Sequence, residues 1–172
     1  GGNIAQAPMQ NSCLIPLIAL DTKIEIRTRK ETFWMPLIQY CDESSNVLRH
    51  TPHIILRVRV PFEEWTISYY KRLGPIGHIT ADTASFVFLA RTQKNLLSDV
   101  KLLFGATQLI KSKEFENLLT GKGLPIDRRS VGALMKETED IFGDTFSAAE
   151  ISDFQKACFF NLIEESMHLL TN

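Results

Sequence analysis

The sequence predicts an α+β protein, and three observations carry that reading. Apolar and polar residues alternate with period two through the first two thirds of the chain, most clearly in "TKIEIRT" and "HIILRVRVP". In the last third the apolar residues recur at helical spacing, as Val131, Leu134, Met135 and Phe142 do. The strand-like runs precede the helix-like ones instead of alternating with them, which argues against a doubly wound parallel sheet.

Taken in order, Ser12 to Leu20 is almost wholly apolar and stops at Asp21, a short buried helix begun or interrupted by Pro16. "TKIEIRT" follows as a strand, with Ile24 and Ile26 on one face and Lys23, Glu25 and Arg27 on the other. After a charged turn around Arg29 and Lys30, "ETFWM" is a second strand that Pro36 ends. The polar loop "CDESSNVLRHTP" leads to "HIILRVRVP", where Leu56, Val58 and Val60 are expected to face in and Arg57 and Arg59 out, until Pro61 stops the pairing. A boundary belongs here, with two units, residues 1–61 and 62–172, meeting near residues 61 to 65.

Beyond it, "WTISYYKRL", "TASFVFLAR" and "SDVKLLFGAT" read as three antiparallel strands in a meander. "KSKEFENLLTGKG" is a short helix that Gly121 or Gly123 stops, and "DRRSVGALMKETEDIF" is a second helix. "SAAEISDFQKACFFNLIEESMHLL" is expected to be the longest, with Ser147 and Glu150 forming a capping box at its start.

Composition narrows the function classes. With 44% hydrophobic residues in 172, the chain can bury a substantial core. Lys and Arg number 19 against 20 Asp and Glu, a net charge of −1, so no global basic field gathers nucleic acid. The longest apolar run, Cys13 to Leu20, is far short of the roughly 20 residues of a membrane helix. Neither nucleic acid nor membrane is an expected partner. Cys13, Cys41 and Cys158 are widely spaced and odd in number, which fits a reducing, cytoplasmic setting and no structural metal.

Chemistry-bearing motifs are few. His50, His53, His78 and His168 are scattered without metal-ligand spacing, Phe159 and Phe160 read as core, and no catalytic constellation is expected. "GGN" differs in kind: paired glycines allow positive φ and let backbone N–H groups approach a phosphate or planar ring, to which the asparagine adds a side-chain amide.

Read in order, "GGNIA", "CLIPLIALDTKIEI", "HIILRVRVPF", "SYYKRLG", "DVKLLFGAT" and "FENLLTGKGL" resemble the C-terminal part of the FAD-binding subunit of the molybdenum hydroxylases, the family of xanthine dehydrogenase and carbon monoxide dehydrogenase. The resemblance covers essentially the whole chain. It implies the end of a flavin-binding α/β subdomain over residues 1–61, then a C-terminal domain with a three-stranded antiparallel sheet and a helix bundle over residues 62–172. It also implies that the chain opens inside a flavin-contacting loop, with the pyrophosphate loop upstream of Gly1.

Residue by residue, the resemblance implies cofactor contacts from Gly1, Gly2, Asn3 and Ala5 of that loop. Ser12 stands where many members have an Asp that bonds the cofactor, so a neutral hydroxyl replaces an anionic acceptor. Ile55 falls where an apolar residue packs on the flavin system. Lys71 falls where many members carry a Lys near the isoalloxazine, a cation that stabilises negative charge on the reduced ring. The segment "RLGPIGHITAD" departs from a loop that is usually charged in the family.

The implied function is an oxidoreductase subunit of the xanthine dehydrogenase or molybdopterin dehydrogenase type. It holds FAD, receives electrons from 2Fe-2S clusters fed by a molybdopterin subunit, and passes them to NAD or another acceptor. No Cys pattern for clusters occurs here, so molybdopterin and iron–sulfur centres are expected on partner subunits. The chain alone is expected to bind FAD weakly or not at all and to be inactive. Two rivals are a docking domain that holds no cofactor and a nucleotide-binding regulator; a flavin absorbance scan and a thermal-shift comparison of FAD, NAD and ATP separate them.

Overall fold

The computed structural model describes residues 2–6, 9–42, 48, 51–148 and 151–171. All the strands precede the last three helices, as the periodicities predict, although three short helices lie before and among them, and the strands build two antiparallel sheets. β1 (Lys23–Thr28), β2 (Thr32–Pro36) and β3 (His53–Arg59) form the small sheet in the order β2-β1-β3. β4 (Ile67–Leu73), β5 (Ala84–Gln93), β6 (Leu96–Gly105) and the two-residue β7 (Leu109–Ile110) form the large one as a meander. The three expected strands are therefore joined by a fourth, too short to leave a periodic signature.

Two apolar cores lie on either side of the large sheet. β5 has residues buried on both faces. Phe86, Phe88 and Ala90 face α4 (Lys113–Leu119), α5 (Arg128–Ala148) and α6 (Asp153–Leu169), where Phe159 meets Phe104, Phe142 and Phe146 ring to ring. Val87 and Leu89 point the other way, with Leu103, into a second core. There they join Leu14, Ile15 and Ile18 of α2 (Leu14–Ala19) and Ile24 and Ile26 of β1. α2 thus packs between the two sheets. At its crossing a Cβ on Gly105 would sit 2.2 Å from Ile15 Cδ1 and 2.9 Å from the Met9 carbonyl oxygen, so β6 carries no side chain there.

Five features differ from expectation. The chain's first segment, read as a glycine loop, is a short helix α1 (Gly2–Gln6), and the stretch after Pro36 forms α3 (Leu37–Cys41) before the polar loop begins. Leu56, Val58 and Val60 are exposed, because α2 and α3 cover β1 and leave β3 at the open edge of the sheet. α5 is the longest helix, at 21 residues against 17 for α6. The last helix does not start at Ser147, which lies within α5; Glu150 lies outside the described residues. A second signature, Ser152 with Gln155, forms the capping box instead: the Ser152 hydroxyl accepts from the Gln155 N–H and the Gln155 side chain accepts from the Ser152 N–H, each at 3.2 Å. The short helix α4 ends at Leu119, and Gly121 takes the left-handed φ of 86° that follows.

Candidate functional site

The α1–α2 connection meets one end of the large sheet at a cleft of about 530 Å³. Asn3, Gln10, Asn11 and Ser12 line it from one side, Arg72 and residues 76–79 from the other. β4 positions the polar groups: Tyr70 and Arg72 share one face of the strand, and both reach Ser12. The Tyr70 hydroxyl donates to the Ser12 carbonyl at 3.1 Å and Arg72 Nε donates to Ser12 Oγ at 2.9 Å.

The rest of the Arg72 guanidinium organises the loop after β4. Nη1 donates to the carbonyls of Gly74 (3.3 Å) and Pro75 (2.6 Å), and Nη2 to that of His78 (3.3 Å). No carboxylate neutralises it among the described residues. A cation held by neutral carbonyls at the wall of a cleft keeps its field available to an anion or a polar ring edge. Gly74 is required here for two reasons: its φ is 89°, and a Cβ would lie 2.9 Å from Thr83 Oγ1. The turn before β5 is fixed from behind by Gln155, whose Nε2 donates to the Ala81 carbonyl at 2.9 Å. The loop carries Ile76 almost fully in solvent, at 96% exposure, at the cleft mouth.

A second cleft, about 450 Å³, opens on the other side of α1. Ile4, Ala5, Tyr40 and residues 53–58 line it. Besides Arg57 it holds a polar relay: the Tyr40 hydroxyl lies 3.0 Å from His53 Nε2, and His53 Nδ1 lies 2.7 Å from the Thr51 carbonyl. A carbonyl only accepts, so Nδ1 carries the proton and Nε2 accepts from the tyrosine. Burial and the neighbouring Cys41 push the Tyr40 hydroxyl above its ordinary pKa, which keeps it a donor.

The residues singled out in the sequence divide between these clefts. Asn3 and Ser12 come together in the first, Ala5 and Ile55 in the second, with α1 as the wall between. Gly2 is helical and exposed, and a Cβ there would meet nothing within 4 Å; Gly1 lies outside the described residues. Lys71 is placed away from both. It pairs in register with Phe86, on the face of β4 that Tyr69 and Leu73 turn toward the helices, opposite to Tyr70 and Arg72. Sequence reasoning missed Arg72; the signal was its position one residue from Lys71, which by alternation puts the two cations on opposite faces. Of the histidines, His78 lines the first cleft, His53 the second, and His50 lies outside the described residues. No cluster of metal-ligating side chains occurs among the described residues, and no described helix is long and apolar enough to cross a membrane.

Comparison with known proteins bears on this geometry. Residues 1–63 match the family described as FAD binding domain in molybdopterin dehydrogenase. By sequence, no curated protein matches the chain. Among solved structures, carbon monoxide dehydrogenase from Hydrogenophaga pseudoflava, in a form lacking the Mo-pyranopterin moiety, superposes with a TM-score of 0.71 at 18% identity. That match covers 96% of this chain and 57% of the other. Reconstituted CO dehydrogenase from Oligotropha carboxidovorans gives 0.68 at 15%, covering 98% and 57%. Quinoline 2-oxidoreductase from Pseudomonas putida 86 gives 0.65 at 12%, covering 99% and 58%. At these identities the likeness is one of fold, and the chain spans a little over half the length of the chains it matches. The N-terminal match and the shared fold fit the family of FAD-binding subunits that the sequence resembles.

Proposed function

We propose that the chain is the C-terminal part of an FAD-binding electron-transfer subunit of a molybdenum hydroxylase. Residues 1–61 are the end of its flavin-binding part and residues 62–172 a second domain. The observation that carries the reading is the convergence of Asn3 and Ser12, both inside the segment that matches the FAD-binding family, with Arg72 of β4 on one cleft. The groups there fit the pyrimidine edge of a flavin, whose carbonyl oxygens and ring nitrogens accept hydrogen bonds. The side-chain amide of Asn3 is exposed, and Asn11 Nδ2 uses one hydrogen on the Asn3 carbonyl at 2.9 Å and keeps the other.

FAD, when bound, supplies the redox chemistry. This chain's residues orient and shield: Asn3 and Asn11 fix the ring edge, Arg72 favours negative charge beside it, and Ile76 and Ile79 exclude water from the mouth. Arg72 takes the part that the resemblance gave to Lys71. In the whole protein, molybdopterin and iron–sulfur centres sit on partner subunits, as in the xanthine dehydrogenase type. Electrons leave to NAD or another acceptor, in the cytoplasm, where the three free thiols stay reduced.

Titration of isotopically labelled protein with excess FAD tests the assignment. Side-chain signals of Asn3, Asn11 and Arg72 shift together, and Arg72→Ala abolishes the shifts at the asparagines. Shifts confined to α5 and α6 refute it.

A further inference from the structure

The small sheet has a second face, turned away from α2 and α3, and the strand registers fix what stands on it. Ile24 pairs with Met35 and Ile26 with Phe33 on the covered side. On the other side Lys23 pairs with Arg59 and Pro36, Glu25 with Arg57 and Trp34, and Arg27 with Ile54 and Thr32. Three rows across three strands therefore present Lys23, Arg27, Arg57 and Arg59, with Trp34 and Ile54 between them. Among the described residues of these rows Glu25 is the one carboxylate, 3.1 Å from Arg57 Nε. The hairpin turn beside it adds the exposed cations Arg29 and Lys30 and the exposed acid Glu31.

Four cations against one acid on a single sheet face is a concentration that the chain's overall charge of −1 conceals. Trp34 is 43% exposed and Ile54 59%, apolar area that the fold leaves in water amid the charges. We infer that this face docks an acidic surface of another protein. Composition favours a protein over the other polyanions. Arginine and tryptophan are the residues enriched in protein interfaces and their hot spots, and three of the four cations are arginines, whose planar forks match carboxylates. Single-stranded nucleic acid is usually held by several aromatic platforms along a groove, and this flat face offers one ring. Ile54 and Arg57 also line the second cleft beside α1, whereas no residue of this face lines the cleft of Asn3, Ser12 and Arg72 on which the cofactor reading rests.

A fluorescein-labelled oligo-glutamate peptide is the probe, read by anisotropy against the full chain. Binding at low salt is expected, weakening as salt rises. The pair Arg27→Glu and Arg59→Glu weakens it at least about tenfold, whereas Lys136→Glu on α5 leaves it unchanged. Trp34→Ala, which keeps every charge, weakens it by a smaller factor. Circular dichroism and thermal melts confirm that each variant folds; Arg57 is left in place to keep Glu25 paired. Absence of binding, or equal loss in the Lys136 control, overturns the inference. So does tighter binding of oligo-dT or of phosphatidylserine vesicles than of the peptide.

Discussion

At the scale of single residues, alternation along a strand decides more than residue type. Lys71 and Arg72 are both cations at the end of β4, yet only Arg72 reaches Ser12. In the FAD titration, Lys71→Met is expected to leave the shifts of Asn3 and Asn11 as in the wild type, whereas Arg72→Lys reduces them. A lysine cannot bond Ser12 and three loop carbonyls at once. The thiols separate by burial in the same way. Cys13 is exposed, while burial pushes the Cys41 thiol up to about 11. A chromogenic disulfide reagent at neutral pH should therefore consume Cys13 quickly and Cys41 only as the protein opens; comparable fast phases would contradict the burial of Cys41. Cys41 and Tyr69 also set an alkaline limit. Burial, with a hydrogen bond to Glu165, raises the Tyr69 hydroxyl to about 12. Both groups ionise more readily unfolded, so their contribution is complete below the ordinary values of 9.0 and 10.0 and disappears as pH climbs through about 11 and 12. The urea midpoint should hold level up to the ordinary Cys value of 9.0 and fall above it. Tyr69→Phe should remove part of the fall.

At the scale of elements, the sequence was legible where one face is fully covered and ambiguous where cover depends on a neighbour. Ile24 and Ile26 alternate and are buried; Leu56, Val58 and Val60 are as apolar and are exposed, because nothing in a strand's own pattern says whether it lies at an edge. α1 was hidden because the glycine and asparagine that open it are poor helix formers, and α3 because five residues are too few for a period. The last helix start had two candidate capping boxes, and the alanines after Ser147 favour continuation of α5, leaving Ser152 to cap. Ser152→Ala should accordingly cost about 1 kcal/mol in urea unfolding, with Ser147→Ala near zero. The opposite order would restore the earlier start. Gly105→Ala places a methyl where Ile15 already sits, fully buried, and should cost about 1–3 kcal/mol.

At the scale of the whole molecule, the proline and the change of pattern near residue 61 point to two units, but no local signal announces how much those units share. Val87, Leu89 and Leu103 of the large sheet complete the core of the small one. Lys101 donates to the Ala19 carbonyl at 3.0 Å and also pairs with Asp21, and Tyr70 and Arg72 hold Ser12. Such contacts join residues about 60 to 80 positions apart, beyond the reach of any sequence period. Removing one unit would expose apolar side chains of the other, so the two should unfold together. The chain supplies its own probes. Both tryptophans lie on the small-sheet side: Trp34 is in β2, and Trp65 packs against the second core with Arg91 4.6 Å from its ring centroid. The helical far-ultraviolet signal comes mainly from α5 and α6, on the other side of the large sheet. Tryptophan fluorescence and helical ellipticity therefore follow different halves, and in urea their transitions should coincide. Val87→Ala, which empties space in the shared core without touching either probe, should lower both midpoints by the same amount, corresponding to about 1–3 kcal/mol. Two separated transitions, with fluorescence changing first and the variant shifting only that one, would show instead that the small sheet melts alone.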